Sequence, residues 1–182
     1  VGIAGLPVRL GVAGALGDPV YWNGCRELLD RLDSRVVIDV RDHLADEAVV
    51  ELLTEADALA LPTKGENFGR SIAEALSVGC PVMIPPTTLW TPLVKRGAGW
   101  LIDADDPDRL ADALRALGAM TPAERSAIRA TALSEYSAWW QQNQHRESLF
   151  AQALMSQMHE LKAAARSKSA EATRASLSTS FQ

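Results

Sequence analysis

The chain has 182 residues, 47% of them apolar, with a formal net charge of −5. That length suits one ordinary domain with or without extensions, and the apolar share excludes a chain disordered throughout. The negative charge gives no general attraction to nucleic acid or anionic lipid, so nucleic acid is not expected as a partner. Short apolar runs alternate with helical patterns, which predicts an α/β fold: a Rossmann-like parallel sheet with helices on both faces, plus long C-terminal helices. In chain order, strands are expected at Arg9–Ala13, Arg35–Val40, Ala58–Leu61, Pro81–Ile84 and Trp100–Ile102. Helices are expected at Val20–Leu32, Asp46–Glu55 and Phe68–Val78. Asp105 and Asp106 before Pro107 mark the start of a helix through Leu117. Thr121 and Glu124 form a capping-box pair around Pro122, opening a helix that passes Arg129. From Ser134 to Lys162 the pattern reads as one or two long helices with no strand to accompany them. Ala163–Gln182, rich in Ala and Ser, reads as a disordered tail.

Only two cysteines occur, Cys25 and Cys80, outside any C-x-x-C spacing, which points to a reducing, cytoplasmic setting and away from a disulfide framework or structural zinc. Cys80, between Gly79 and Pro81, reads as a small buried apolar side chain. His43, His145 and His159 have no spacing that suggests a metal or a catalytic base, and Trp139-Trp140 reads as packing. No run of about 18 apolar residues suggests a membrane span. A start at Val1, without Met or an apolar leader, is expected of a segment within a longer protein.

The chemistry concentrates in Leu61–Ile84. A buried strand ends near Pro62, a polar loop carries Lys64, Gly65 and Glu66, a helix follows to Gly79, and Pro81 leads into the next strand. Loops at the carboxyl ends of parallel strands are where open α/β sheets bind ligands. A projection at 100° per residue puts Phe68, Ile72, Ala75, Leu76 and Gly79 on the face toward the sheet, with Arg70, Glu74 and Ser77 opposite. Glu66 and Glu74 then stand on the order of 10 Å apart along the axis. Between them lies a helix N-terminus, whose free N–H groups favour a phosphate. Carboxylate, anion seat, carboxylate matches hexose, diphosphate and ribose, since a carboxylate accepts from two neighbouring hydroxyls. Gly65 and Gly69 let backbone approach a ligand. Spacing alone leaves a second account open: Arg70 and Glu74 as an exposed i, i+4 ion pair, and Glu66 as a first-turn acid.

The setting of this pair, Gly65-Glu-Asn-Phe-Gly69, Glu74-Ala-Leu and Gly79-x-Pro-Val82, resembles family 4 retaining glycosyltransferases of the two-Rossmann-domain (GT-B) type. The likeness extends back through Leu52-Leu-x-x-Ala-Asp57 and forward to Trp90, Gly97-x-Gly-Trp100 and Asp106-Pro-Asp108. It is strongest for a bacterial subgroup whose Tyr-Trp-x-x-Cys is matched by Tyr21 to Cys25. The resemblance implies the C-terminal, donor-binding domain of an enzyme using a nucleotide-diphosphate sugar, with Glu66 as the catalytic-site carboxylate that holds the hexose. Backbone amides of Asn67, Phe68 and Gly69 would line the sugar, those of Arg70 and Ser71 would hold the diphosphate, and Glu74 would bind the ribose. The nucleobase would lie near Val40–His43, with Arg41 as a candidate. No metal and no cofactor are implied, the donor being a substrate.

Within that resemblance, residues 1–133 correspond to the nucleotide-sugar-binding domain, incomplete at its N-terminus, 134–162 to a helical extension and 163–182 to the tail. The expected partner is the missing N-terminal acceptor domain, with peripheral membrane association of the full enzyme, and the isolated chain is expected to lack transfer activity. Four departures stand out: Arg70 replaces a histidine, Pro85-Pro86 a Ser-Asp pair, Leu89 the proline before Trp90, and Val1–Val8 holds no Arg-and-Lys diphosphate clamp. Two other readings remain: a non-catalytic nucleotide-binding or interaction module derived from this fold, and an unrelated flavodoxin-like domain in which the Glu pair is incidental.

Overall fold

The computed structural model describes residues 7–32 and 34–143. Five strands are present among the described residues: β1 (Val8–Ala13), β2 (Val36–Arg41), β3 (Leu59–Ala60), β4 (Val82–Ile84) and β5 (Gly99–Leu101). Helices α1 (Pro19–Leu29), α2 (Asp46–Glu55), α3 (Arg70–Ser77), α4 (Thr91–Leu93) and α5 (Pro107–Ala119) run between and after them. Residues 122–143 are also helical. The chain divides into two compact units, Val1–Ser137 and Ala138–Gln182. The part of the helix inside the first unit, residues 122–137, is called α6 below. No helix among the described residues is long and apolar enough to cross a membrane.

All strand pairing is parallel, as the alternation of strand and helix predicts, and the architecture is Rossmann-like α/β. The strands form two ladders, β1–β2 and β3–β4–β5. β3 is only two residues long and bonds to β4 through Leu59 N–H to the Pro81 carbonyl (2.9 Å) and Leu61 N–H to the Met83 carbonyl (3.0 Å). β4 is the middle strand of its ladder, and Val82, Met83 and Ile84 are all fully buried. A strand covered on both faces needs an unbroken apolar run, which is what the sequence carries there.

Met83 of β4 packs with Ile102, Ala113 and Leu117, and Ile72, Ala75 and Leu76 of α3, Trp90, Leu93, Val94, Ala111 and Ala132 are buried too. Before residue 59, Leu53 is the sole buried hydrophobic among the described residues, and α1 buries none. The second half of the first unit therefore holds its core. Two arginines of α6 tie the junction of α2 and β3 to it. Arg129 donates to the carbonyls of Ala56 (2.7 Å) and Thr54 (2.9 Å), occupying acceptors that the end of α2 leaves open. Arg125 pairs with Asp57 at 2.8 Å.

Helix starts follow their sequence signals. Asp18 accepts from the N–H groups of Val20 (2.8 Å) and Tyr21 (3.3 Å) ahead of α1, and Asp106 accepts from Asp108 N–H (3.0 Å) ahead of α5. Thr121 and Glu124 make the reciprocal box, with Glu124 N–H to Thr121 Oγ1 at 3.3 Å and Thr121 N–H to Glu124 Oε2 at 2.7 Å. Those bonds from Thr121 hold the Glu124 carboxyl below its ordinary range. The helix they open continues through Ser134, where the sequence changes character.

Three expectations need correction. α1 stops at Leu29 instead of Leu32, with Asp30 as its C-cap. α3 begins at Arg70 instead of Phe68, because Gly69 adopts a left-handed conformation (φ 75°, ψ 60°) that a helix cannot include. The region Thr91–Ala98, given no element by sequence, forms α4 and a five-residue π-turn unwound at Gly97. The expected C-terminal helix beyond residue 143 and the 163–182 tail lie outside the described residues.

Gly99 explains part of the Gly97-x-Gly-Trp100 motif. A Cβ there would stand 1.9 Å from the Val82 carbonyl oxygen, and the residue's φ is 151°. Gly99→Ala is expected to cost about 3 kcal/mol, through backbone displacement and conformational strain together. The check is a urea melt, in which the midpoint should fall with the slope unchanged. Cys80 is fully buried, its sulfur near the Ala56 carbonyl, and burial pushes its thiol up to about 11 from its ordinary value of 9.0. At pH 8 the thiolate fraction then falls to about one part in a thousand, against about one in ten for the unburied group. A thiol reagent at pH 8 should modify Cys25, which is half-buried, and reach Cys80 only after denaturant is added.

Candidate functional site

β3 delivers the chain to the predicted loop at its carboxyl end. Thr63 Oγ1 donates to the Gly65 carbonyl (2.7 Å) and accepts from Gly65 N–H (3.3 Å), closing a small polar turn. Glu66 is half-buried, and its Oε1 accepts from Gly69 N–H at 3.2 Å. One of the amides expected to face a sugar is thus engaged by Glu66 itself. Asn67 is exposed, Phe68 is 41% exposed, and Gly69 is buried as the residue preceding α3. Phe68 therefore lies in the loop and not on the sheet-facing stripe, where Ile72, Ala75, Leu76 and Gly79 are indeed buried. Gly69 is required for more than its dihedrals. A Cβ there would lie 2.9 Å from Ile72 Cδ1 and 3.1 Å from both Glu66 Cγ and Trp90 Nε1.

Arg70 and Ser71 occupy the first turn of α3 and are exposed, and Glu74 follows one turn later, half-buried. First-turn amides have no intrahelical carbonyl to bond, so the tip of α3 presents donors toward whatever sits over it. Arg70 Nε donates to Glu74 Oε1 at 2.6 Å, and its Nη2 reaches Asp46 Oδ1 at 3.0 Å. These partners, Glu74 first, raise the guanidinium further above its ordinary value. The structure thus adds Asp46, at the start of α2, to the group the sequence named. No local pattern signals it, because Asp46 and Arg70 stand 24 positions apart and Asp46 reads as an ordinary first-turn acid.

Other candidates are engaged elsewhere. Lys64 pairs with Asp105 at 2.8 Å, and Arg41 donates twice to Asp39 (2.7 and 3.0 Å), whose carboxyl it holds low. His43, in the loop expected near a nucleobase, has a positive φ of 34°. Among the described residues, no group of three or more His, Cys, Asp or Glu side chains is arranged to hold a metal ion. A shallow groove between α1 and β2, lined by Trp22, Arg26, Leu29, Asp30, Ile38 and Val40, is separate from the loop. The loop has one deep anchor: fully buried Trp90 donates its indole N–H to the Phe68 carbonyl at 2.6 Å.

Residues 5–119 match the family described as Glycosyl transferases group 1, a span that includes the whole loop and α3. A GDP-mannose-dependent alpha-(1-6)-phosphatidylinositol dimannoside mannosyltransferase from Mycobacterium tuberculosis is 30% identical over 115 residues, covering 63% of this chain and 28% of the relative. A sucrose-phosphate synthase from Thermosynechococcus elongatus superposes with a TM-score of 0.62 at 23% identity, over 78% of this chain and 38% of that one. HepE from Anabaena, solved with UDP and glucose, gives 0.61 at 20% identity, over 82% and 49%. These likenesses establish the fold, and the chain spans less than half the length of each of these proteins.

Arg70 is 70% exposed on its side chain, so its ion pairs are screened and hold little of the fold together. Arg70→Ala is expected to leave the thermal midpoint within about 2 °C of the parent. A larger drop in a calorimetric melt would mean that the Arg70–Asp46 contact holds the first half of the unit in place.

Proposed function

The chain belongs to the glycosyl transferases group 1 family, and from that premise we propose that it is the donor-binding domain of a retaining glycosyltransferase of family 4. The observation that carries the reading is the tip of α3. A left-handed Gly69 opens the helix between two half-buried carboxylates, Glu66 before it and Glu74 one turn inside. The diphosphate of a nucleotide sugar sits on the amides of Arg70 and Ser71, where the helix dipole favours negative charge. Glu74 accepts from the ribose hydroxyls, and Arg70, already against Glu74, turns toward the phosphates. Glu66, held by the Gly69 N–H, takes the hexose hydroxyls beside the amides of Asn67 and Phe68 and orients the sugar for transfer on the face the leaving group vacates.

The departing diphosphate is stabilised by the helix tip and the Arg70 cation, and the reading includes no metal. The relative's name supports GDP-mannose as donor, and the neighbour solved with UDP and glucose supports a UDP-sugar. The acceptor is a glycan or lipid-linked glycan, held by a separate N-terminal domain, in an enzyme acting in the cytoplasm or at the inner face of the membrane. Without that domain the two substrates are not held together, so the entropic advantage of a shared site is lost.

Calorimetric titration with GDP, GDP-mannose, UDP and UDP-glucose tests the reading. One base is expected to bind, and Glu74→Ala to weaken that binding roughly 10- to 100-fold, the range for a lost charge-assisted hydrogen bond. Binding of neither base, or binding indifferent to Glu74→Ala, counts against it. A labelled-donor transfer assay on the chain alone should show no turnover, and robust transfer would refute the need for a separate acceptor domain.

A further inference from the structure

We propose that Trp90 is a positioning residue for the donor loop, acting on the hexose end of the site through the peptide bond that joins Phe68 to Gly69. The inference rests on the donor-domain reading and adds to it a residue far from the loop in sequence.

An indole has one polar atom, the Nε1–H donor, and Trp90 spends it on the Phe68 carbonyl at 2.6 Å while the whole side chain is buried. The Phe68 ring meets the indole edge-on (centroids 5.4 Å, planes 77° apart), and Tyr136 of α6 stacks against it (6.0 Å, 27°). The indole is therefore held by the core at one side and holds the loop at the other. The 68–69 peptide is planar and trans, so its carbonyl and its N–H point in opposite directions. With the Phe68 carbonyl turned to Trp90, the Gly69 N–H must face away from it, and there it donates to Glu66 Oε1 at 3.2 Å. One peptide is clasped from both sides, and the carboxylate on its outer side is the one assigned to the hexose.

Local chain preference does not supply this orientation. Gly69, at φ 75°, tolerates either side of the conformational map, so a peptide preceding it rotates at little steric cost. Removing the indole N–H leaves the Phe68 carbonyl without that donor and frees the plane to turn, and Glu66 loses its fixed partner. The diphosphate and ribose contacts, on Arg70, Ser71 and Glu74, lie past Gly69 on α3 and do not depend on this peptide.

The test uses the 182-residue chain with Trp90→Phe and, to keep ring volume while removing only the donor, 3-benzothienylalanine installed at position 90. For the base that the parent chain binds, calorimetry compares the nucleoside diphosphate with its sugar conjugate. Both variants should lower the preference for the sugar conjugate about tenfold and shift affinity for the diphosphate less than about twofold. In a Glu66→Gln background the same change at position 90 should add little, because both act on one contact. Without any ligand, a Glu-specific protease should cut after Glu66 about tenfold faster in the variants. An unchanged sugar preference, or an equal loss for both ligands, overturns the inference and leaves the donor-domain reading standing. Failure of the parent chain to bind either nucleotide removes that reading instead. The protease rate then decides whether Trp90 holds the loop, and an unchanged rate overturns that too.

Discussion

The middle strand of the three-stranded ladder has no exposed face and no free edge, and the loop that precedes α3 takes its position from it. Val82, Met83 and Ile84 are buried completely and bond to β3 on one side and β5 on the other. Gly99 lies so close to the Val82 backbone that no side chain fits between. On the other side, the Met83 carbonyl receives Leu61 N–H, the last ladder bond before the chain enters the loop. The loop thus leaves a strand held by the most buried part of the molecule, and α3 returns the chain to it through Cys80 and Pro81, both buried. A binding loop between two such anchors keeps its geometry even though its own residues are polar and exposed.

Burial is uneven along the first unit. From Ile72 onward apolar side chains close into a core, while the segment before Leu59 contributes Leu53 alone among the described residues. What links the two parts is largely polar: Arg129 on the last carbonyls of α2, Arg125 on Asp57, and Arg70 reaching Asp46. The site follows this division. The Thr63–Gly69 loop and the tip of α3 adjoin the well-packed part, and Asp46 and the Val40–His43 loop belong to the other.

The chemistry expected at the tip of α3 comes from two conformational facts. A left-handed residue before the helix turns the chain sharply enough for Glu66 to fold back toward the first turn, and glycine alone meets that need where Ile72, Glu66 and Trp90 crowd the Cβ position. A buried indole then selects one orientation of a peptide that glycine leaves free. Both carboxylates already have partners, Gly69 N–H for Glu66 and Arg70 for Glu74. On the proposed function, sugar and ribose hydroxyls would share or replace them, with Arg70 the movable element and the 68–69 peptide the rigid one.

The strands' places along the chain, the capped starts of α5 and α6 and the place of the loop were legible in the sequence, because each depends on near neighbours. A run such as Val82-Met-Ile84 is apolar because both its faces are covered, and Asp106 and the Thr121–Glu124 pair cap helices within three residues of themselves. The Glu66–Glu74 spacing and its glycines were equally local, and so was their likeness to a glycosyltransferase family. Sequence did not reveal that Gly69 would stop α3 two residues short of the expected start, that Phe68 would leave the sheet face, or that Asp46 and Trp90 would come to the loop from 24 and 22 positions away. Those outcomes depend on crowding and on hydrogen-bond partners that meet only when the chain is folded. The helical period states which residues share a face, and tertiary packing alone decides which distant side chain a carbonyl or guanidinium finds there.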